Sequence, residues 1–218
     1  MQNRTKTDYT RPEFAAMALI TIDMQNDFLK GRPFAIPGTT EALPRMQKLV
    51  DTFRRAERPV IHMVRLYKPD GSNADLCRRS AVEQGAAMVC PGTSGAELAP
   101  SLLPAQESRL DAELLLSGAV QPLGPSEWAI YKPRWGAFFG TSLQEHLLSL
   151  GVTSLAFIGC NYPNCPRTSI YEASERDFRI VLVGDAVSGL YKRGRAEMTN
   201  IGVKLMDSEQ LMRAVKRA

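Results

Sequence analysis

A three-layer α/β/α fold, built on a doubly wound, mainly parallel sheet of about six strands, is what this sequence predicts, and three features predict it. Short apolar runs recur: MALITI at 17–22, VIHMV at 60–64, SLAFIG at 154–159 and RIVLVGDA at 179–186. They are nearly continuous rather than alternating, as strands buried on both faces should be. Stretches long enough for a crossover helix lie between them, which parallel neighbours require. The composition, 44% hydrophobic and 23% charged over 218 residues, supplies one sizeable core rather than two.

The opening MQNRTKTDYTRPE is polar and lacks the apolar centre of a secretory signal, so residues 1–13 read as a flexible arm and 14–218 as a single domain, cytoplasmic by default. After the first strand the chain turns polar at Asp23, loops through LKGRPFAIPG and enters a helix over about 40–57. Leu43, Met46, Val50 and Phe53 keep helical spacing there and should face the sheet. Pro59 ends that region and VIHMV follows as a strand. Residues 66–126 are the least regular: YKPDGSN, VCPGTSG, LAPSLLP and VQPLGPSE read as turns and loops, LCRRSAVEQGAAM as helix, and LDAELLL as strand or helical turn. EWAIYK, 127–132, is a strand ending at Lys132. TSLQEHLLSLGV reads as a helix with Thr141 and Gln144 at capping-box spacing, a stop at Gly151, and a buried stripe of Leu143, Leu147 and Leu150. GCNYPNCPR is a tight turn, TSIYEASERDF a helix, and EMTNIGVKLM with DSEQLMRAVKR mainly helical.

The net charge of +4 is scattered, and no nucleic-acid module accompanies it, so nucleic acid is not an expected partner. No run approaches the roughly 20 apolar residues that span a bilayer. Cys77, Cys90, Cys160 and Cys165 are expected as reduced thiols, because a chain with this core needs no disulfide scaffold.

Loops at the carboxyl ends of parallel strands converge on one edge, where ligands bind. Asp23, Lys132 and Cys165 each lie just beyond an expected strand, and together they make an acyl-transfer site. Cys165, at a strand-to-helix turn, should have its thiolate favoured by helical N–H groups and a nearby cation. Asp23 would move the proton, and Lys132 would hold that carboxylate. Prolines bracket Asn164 and Cys165, and so constrained a turn can aim N–H groups inward as an oxyanion hole. The alternative for Cys165 is a small, inert, buried side chain.

These residues bring a family with them. LITIDMQNDF, YKPRWGAFFGTSLQEHLLSLGV and FIGCNYPNCPRTSIYEASERDF, in this order, resemble the three motifs of the isochorismatase-like cysteine hydrolases. The resemblance covers most of the chain after the first dozen residues. It implies Asp23, Lys132 and Cys165 as the catalytic set, an oxyanion hole from the Asn161 and Cys165 amides, and a cis peptide between Cys160 and Asn161. It also implies a homo-oligomer, dimer or tetramer.

Departures from the family pattern narrow the activity. Nicotinamide-hydrolysing relatives carry an aspartate and histidines after the second strand, whereas this chain reads VRLYKPDGSNADL there, and its two histidines are His62 and His146. No metal or other cofactor is therefore expected. The presence of Cys165 disfavours isochorismate as substrate. The NYPNCPR turn is similar to that of the cysteine hydrolases around streptothricin hydrolase, which implies a small amide or lactam substrate. N-carbamoyl or ureido compounds and nicotinamide-like amides stay open. Trp135, Phe138, Tyr162, Arg134 and Arg167 are the candidate substrate contacts, each with a packing or ion-pair role as its alternative. A noncatalytic binding or assembly protein, or a thiol redox protein using Cys160 and Cys165, are the rival classes.

Overall fold

Strand β1, Met17–Ile22, is wholly buried, and its one polar side chain is paired: Thr21 Oγ1 lies 2.8 Å from Nδ1 of His62. His62 belongs to β2, Val60–Val64, and its Nε2 lies 2.7 Å from Glu127 Oε1 on β4, Glu127–Tyr131. Arg54 closes this chain with two 2.7 Å bonds to the same carboxylate. Burial works to raise the Glu127 carboxyl, but the bonds from Arg54 and His62 outweigh it and hold it below its usual range. The buried histidine is thus a structural one.

The computed structural model describes residues 7–218; residues 1–6 of the expected arm lie outside the described residues. At the arm's far end Glu13 accepts from Thr153 at 2.6 Å and pairs with Arg179 at 3.2 Å. The remaining strands are β3, Gln121–Gly124, β5, Ser154–Gly159, β6, Arg179–Val187, and β7, Lys204–Met206. They form one sheet in the order β3-β4-β2-β1-β5-β6-β7, parallel throughout except for the β3–β4 pair. Seven strands replace the expected six or so because two short edge strands are carried by loop-like sequence. VQPLGPSE contains β3, where Pro122 is tolerated at a sheet edge. IGVKLM contains β7 instead of continuing a helix.

Two apolar cores flank the sheet. On one face, α1, Thr39–Arg55, buries Met46, Val50 and Phe53, and α7, Ser208–Val215, buries Leu211 and Val215. Much of 66–126 joins that core through Val82 of α2, Leu76–Glu83, Leu115 of α3, Ala112–Leu116, and Val89, Leu98 and Leu102 from its loops. The other face carries α4, Leu143–Ser149, α5, Cys165–Ser174, and α6, Lys192–Asn200. The capping box expected at Thr141 and Gln144 does not form. Gln144 accepts from Arg176 instead, α4 starts after Ser142, and Leu150 is left 37% exposed past its end. A capping box does close α7, from Asp207 to Gln210.

The edge that matters is set by register. Ile22 aligns with Met63 and with Gly159, and Val64 aligns with Tyr131. Asp23, Arg65, Lys132 and Cys160 are therefore each the first residue past neighbouring strand ends. Gly159 permits this closeness: at φ +120°, a Cβ there would stand 2.2 Å from the Ile22 carbonyl oxygen. Gly159→Ala should accordingly lower stability by about 2 kcal/mol or more, a fall in melting temperature of roughly 4–8 °C by thermal denaturation. An unchanged melting temperature would contradict the close approach.

Candidate active site

Asp23 sits at φ +54°, an uncommon conformation for a residue other than glycine, with its N–H donating to Met63 O at 3.0 Å. The bend turns its carboxylate into the crevice beside β5, where the strand order reverses and α/β sheets bind ligands. Lys132 approaches from β4, two strands away, and its stem spans the width of β2. Its ammonium is fully buried and stands 3.0 Å from Asp23 Oδ2. The other oxygen, Asp23 Oδ1, is buried with no hydrogen-bond partner. Cys160 Sγ donates to the Asp23 carbonyl at 3.2 Å, a structural use of that thiol.

Cys165 opens α5 and lines a cleft with Asp23, Cys160, Asn161 and Asn164. Burial first, and the adjacent Asp23 carboxylate second, push its thiol up to about 12, with Lys132 pulling the other way. This corrects the expectation of a resting thiolate: burial and the Asp23 carboxylate together outweigh the pull of Lys132. Neutral thiol beside carboxylate is an arrangement in which attack and proton transfer go together.

The turn before Cys165 is held by Tyr162 N–H donating to Ser188 O at 2.8 Å and Asn164 N–H to Asn161 O at 3.0 Å. The N–H groups of Asn161 and Cys165 have no acceptor among the described residues. The Cys160–Asn161 bond is trans, as is every peptide bond described, which corrects the cis bond implied by resemblance. Trans is the less costly form for a non-proline bond, and the left-handed Gly159 already makes the bend.

Of the candidate substrate contacts, Trp135 lines the cleft, 37% exposed. The others do not, and each has a reason. Phe138 is buried in the core between Phe178 and the Arg176 guanidinium. Tyr162 is fully buried, its hydroxyl donating to Gly194 O at 3.0 Å. Arg134 lies outward and donates to Pro133 O, while Arg167 pairs with Glu197 at 3.0 Å. His146 is an edge-on neighbour of Trp128. Among the described residues no group of three or more His, Cys, Asp or Glu side chains could hold a metal.

Sequence reasoning missed Arg65, Tyr67 and Asp75. Arg65 is 3% exposed, donates through Nη2 to Tyr67 Oη at 2.6 Å and pairs through the same nitrogen with Asp75, while Tyr67 donates to Asp75 at 2.7 Å. Burial opposes the Arg65 charge, but Tyr67, Asp23 and Asp75 outweigh it and keep the guanidinium cationic. Its position just beyond VIHMV was the available signal, since Asp23 and Lys132 were found by that rule. Asn26 and Asp27 brace the loop: Asn26 donates to Ser94 O at 2.8 Å, and Asp27 accepts from Val89 N–H at 2.7 Å.

Residues 17–210 match the model of the isochorismatase domain. A probable inactive nicotinamidase from Arabidopsis thaliana is 30% identical over 194 residues, covering 86% of this chain and 90% of that protein. N-carbamoylsarcosine amidase from an Arthrobacter species is 27% identical, with 88% and 71% covered. The crystal structure of an isochorismatase family protein from Desulfovibrio vulgaris superposes with a TM-score of 0.78 at 30% identity, covering 93% of this chain and 99% of that one. The chain belongs to the isochorismatase family of hydrolases.

No described helix is long and apolar enough to cross a membrane. The high proton affinity of Cys165 has a direct consequence. Its alkylation by iodoacetamide should climb about tenfold per pH unit from pH 7 to 10, followed by peptide mass spectrometry. A rate that levels off by pH 8 would mean a resting thiolate and would overturn this electrostatic picture.

Proposed function

We propose that this protein is a metal-independent amidohydrolase that cleaves a carbon–nitrogen bond of a small amide or lactam through a thioester on Cys165. The observation that carries the reading is the buried 3.0 Å Lys132–Asp23 pair, with the free Asp23 oxygen in the cleft that holds the thiol. Cys165 Sγ attacks the carbonyl carbon as Asp23 takes the thiol proton. The oxygen of the tetrahedral intermediate is met by the Asn161 and Cys165 N–H groups. Asp23 returns the proton to the departing nitrogen, the C–N bond breaks, and an acyl-thioester remains. Water then attacks the thioester carbon, giving its proton to Asp23, which hands it back to sulfur as the acid product leaves. Lys132 holds Asp23 Oδ2 at 3.0 Å and so leaves Oδ1 as the oxygen that carries the proton.

The cleft encloses about 50 Å3, room for a group of only a few heavy atoms, so a carboxamide, lactam or ureido head fits there while the rest of the substrate extends past Trp135. N-carbamoyl compounds gain support from the similarity to N-carbamoylsarcosine amidase. The noncatalytic alternative gains support from the relative named as probably inactive. Product detection by mass spectrometry separates the readings, with lactams, primary amides and N-carbamoyl compounds offered without added metal. Wild-type protein should release acid product from at least one class, and folded Cys165→Ala or Asp23→Asn should be slower by roughly 10³-fold or more. Turnover that survives both substitutions would refute the mechanism.

Self-association belongs to the same reading. Leu76, Trp135 and Phe139 are 84%, 37% and 59% exposed and line one shallow apolar groove beside the cleft, a surface of the kind that oligomers cover. Sedimentation equilibrium should give a dimer or tetramer, and Leu76→Glu with Phe139→Glu should shift it toward monomer; a wild-type monomer at micromolar concentration would count against it.

A further inference from the structure

Cys165 and the loop that follows Lys132 are joined by one buried hydroxyl. Ser169 is fully buried on α5, one helical turn after Cys165. Its Oγ donates to the Cys165 carbonyl at 2.7 Å and accepts from Ala137 N–H at 3.0 Å. A serine or threonine that bonds back to the carbonyl four residues earlier is ordinary in a helix, and Thr168 does the same to Asn164 O at 3.0 Å. What Ser169 adds is the second bond, which reaches 32 residues back along the chain to the loop. The hydroxyl has one proton to give and lone pairs to share, and here it uses both roles.

That loop carries two parts of the site. The Arg134 carbonyl accepts from Lys132 Nζ at 3.4 Å, a long second bond for an ammonium whose first partner is Asp23 Oδ2 at 3.0 Å. Trp135, next in the chain, lines the cleft. Then α5 grips the loop at three successive residues. A Cβ on Gly136 would stand 2.1 Å from Glu172 Oε1, Ala137 N–H donates to Ser169, and Phe138 N–H donates to Glu172 Oε2 at 2.8 Å. The few residues from Arg134 to Ala137 give too little chain to absorb a shift at one end without moving the other. An unbroken path therefore runs from the Cys165 carbonyl through Ser169 and the loop to the Lys132 ammonium and Asp23.

We propose that Ser169 is a positioning residue for the reaction: its hydroxyl, together with the Glu172 carboxylate, ties the loop to the nucleophile's helix and so sets where the Lys132–Asp23 pair and Trp135 stand relative to the thiol. Removing the hydroxyl leaves the buried Ala137 N–H without its acceptor, which favours a shifted loop over the native one. A misplacement of about 1 Å at a reacting group can cost on the order of 10²-fold in rate. Packing makes the opposite demand. Alanine takes less room than serine, whereas threonine adds a methyl group to a fully buried site. If volume governs, Ser169→Ala is the benign change and Ser169→Thr the harmful one; if the hydroxyl governs, the ranking reverses. The inference rests on Cys165 being the nucleophile.

The test uses the full chain and p-nitrophenyl acetate, an activated ester whose acetyl group passes to sulfur as nitrophenolate leaves. Release that is lost in Cys165→Ala reports the nucleophile alone. Ser169→Ala should lower this Cys165-dependent rate by about tenfold or more, and Ser169→Thr should stay within about threefold of wild type. A Ser169→Ala protein as fast as wild type would overturn the proposal, as would a folded Ser169→Thr protein no faster than Ser169→Ala. If either variant does not fold, the comparison passes to Glu172, which is only partly buried: Glu172→Gln keeps an acceptor oxygen for Phe138 N–H, and Glu172→Ala removes it. A gap of about tenfold between these two supports the clamp, and equal rates overturn it. Wild-type release that persists undiminished in Cys165→Ala is a different result, which removes the nucleophile reading and this inference with it.

Discussion

Asp23 stands at the end of the central strand with 4% exposure, and an ionised carboxylate so far from water needs a cation and donors close by. Lys132 answers the charge from two strands away and is itself fully buried, so neither group is tolerable without the other. The pair can form because the strands end level with one another. Ile22 matches Met63 and Gly159, and Val64 matches Tyr131. Parallel pairing that slipped by one residue would send each of these side chains to the other face of the sheet.

Backbone geometry then converts that alignment into a site. Gly159 lets β5 crowd against the end of β1, and the left-handed turn at Asp23 swings its carboxylate over the crevice. The strain of a non-glycine residue at positive φ falls where the chemistry is expected, as it often does. The long irregular segment 66–126 earns its place through packing. Gln25 bonds to Arg65 and Ala96, and Asp27 to Val89, so this excursion is fastened to the β1 loop and brings Tyr67 and Met88 into the cleft wall.

Two buried ion pairs with different geometry therefore share one cleft. In the Lys132–Asp23 pair the free atom is an acceptor, Asp23 Oδ1, suited to a proton in transit. In the Arg65–Asp75 pair both a donor, Arg65 Nη1, and an acceptor, Asp75 Oδ1, are buried without a partner.

The sequence by itself determined the parallel sheet and the positions of Asp23, Lys132 and Cys165, because apolar runs mark strands buried on both faces and their polar successors mark the carboxyl edge. The edge strands β3 and β7 were hidden, since four or three half-exposed residues carry too little periodicity to stand out from a loop. Only the tertiary structure decided which side chains meet. Phe138 and Tyr162, near the catalytic residues in sequence, turn into the core, while Arg65 and Tyr67 arrive at the cleft wall, both held by Asp75 behind them. The protonation of Cys165 was likewise beyond sequence, because it depends first on how deeply the folded chain buries the sulfur and then on its setting between the Asp23 carboxylate and Lys132.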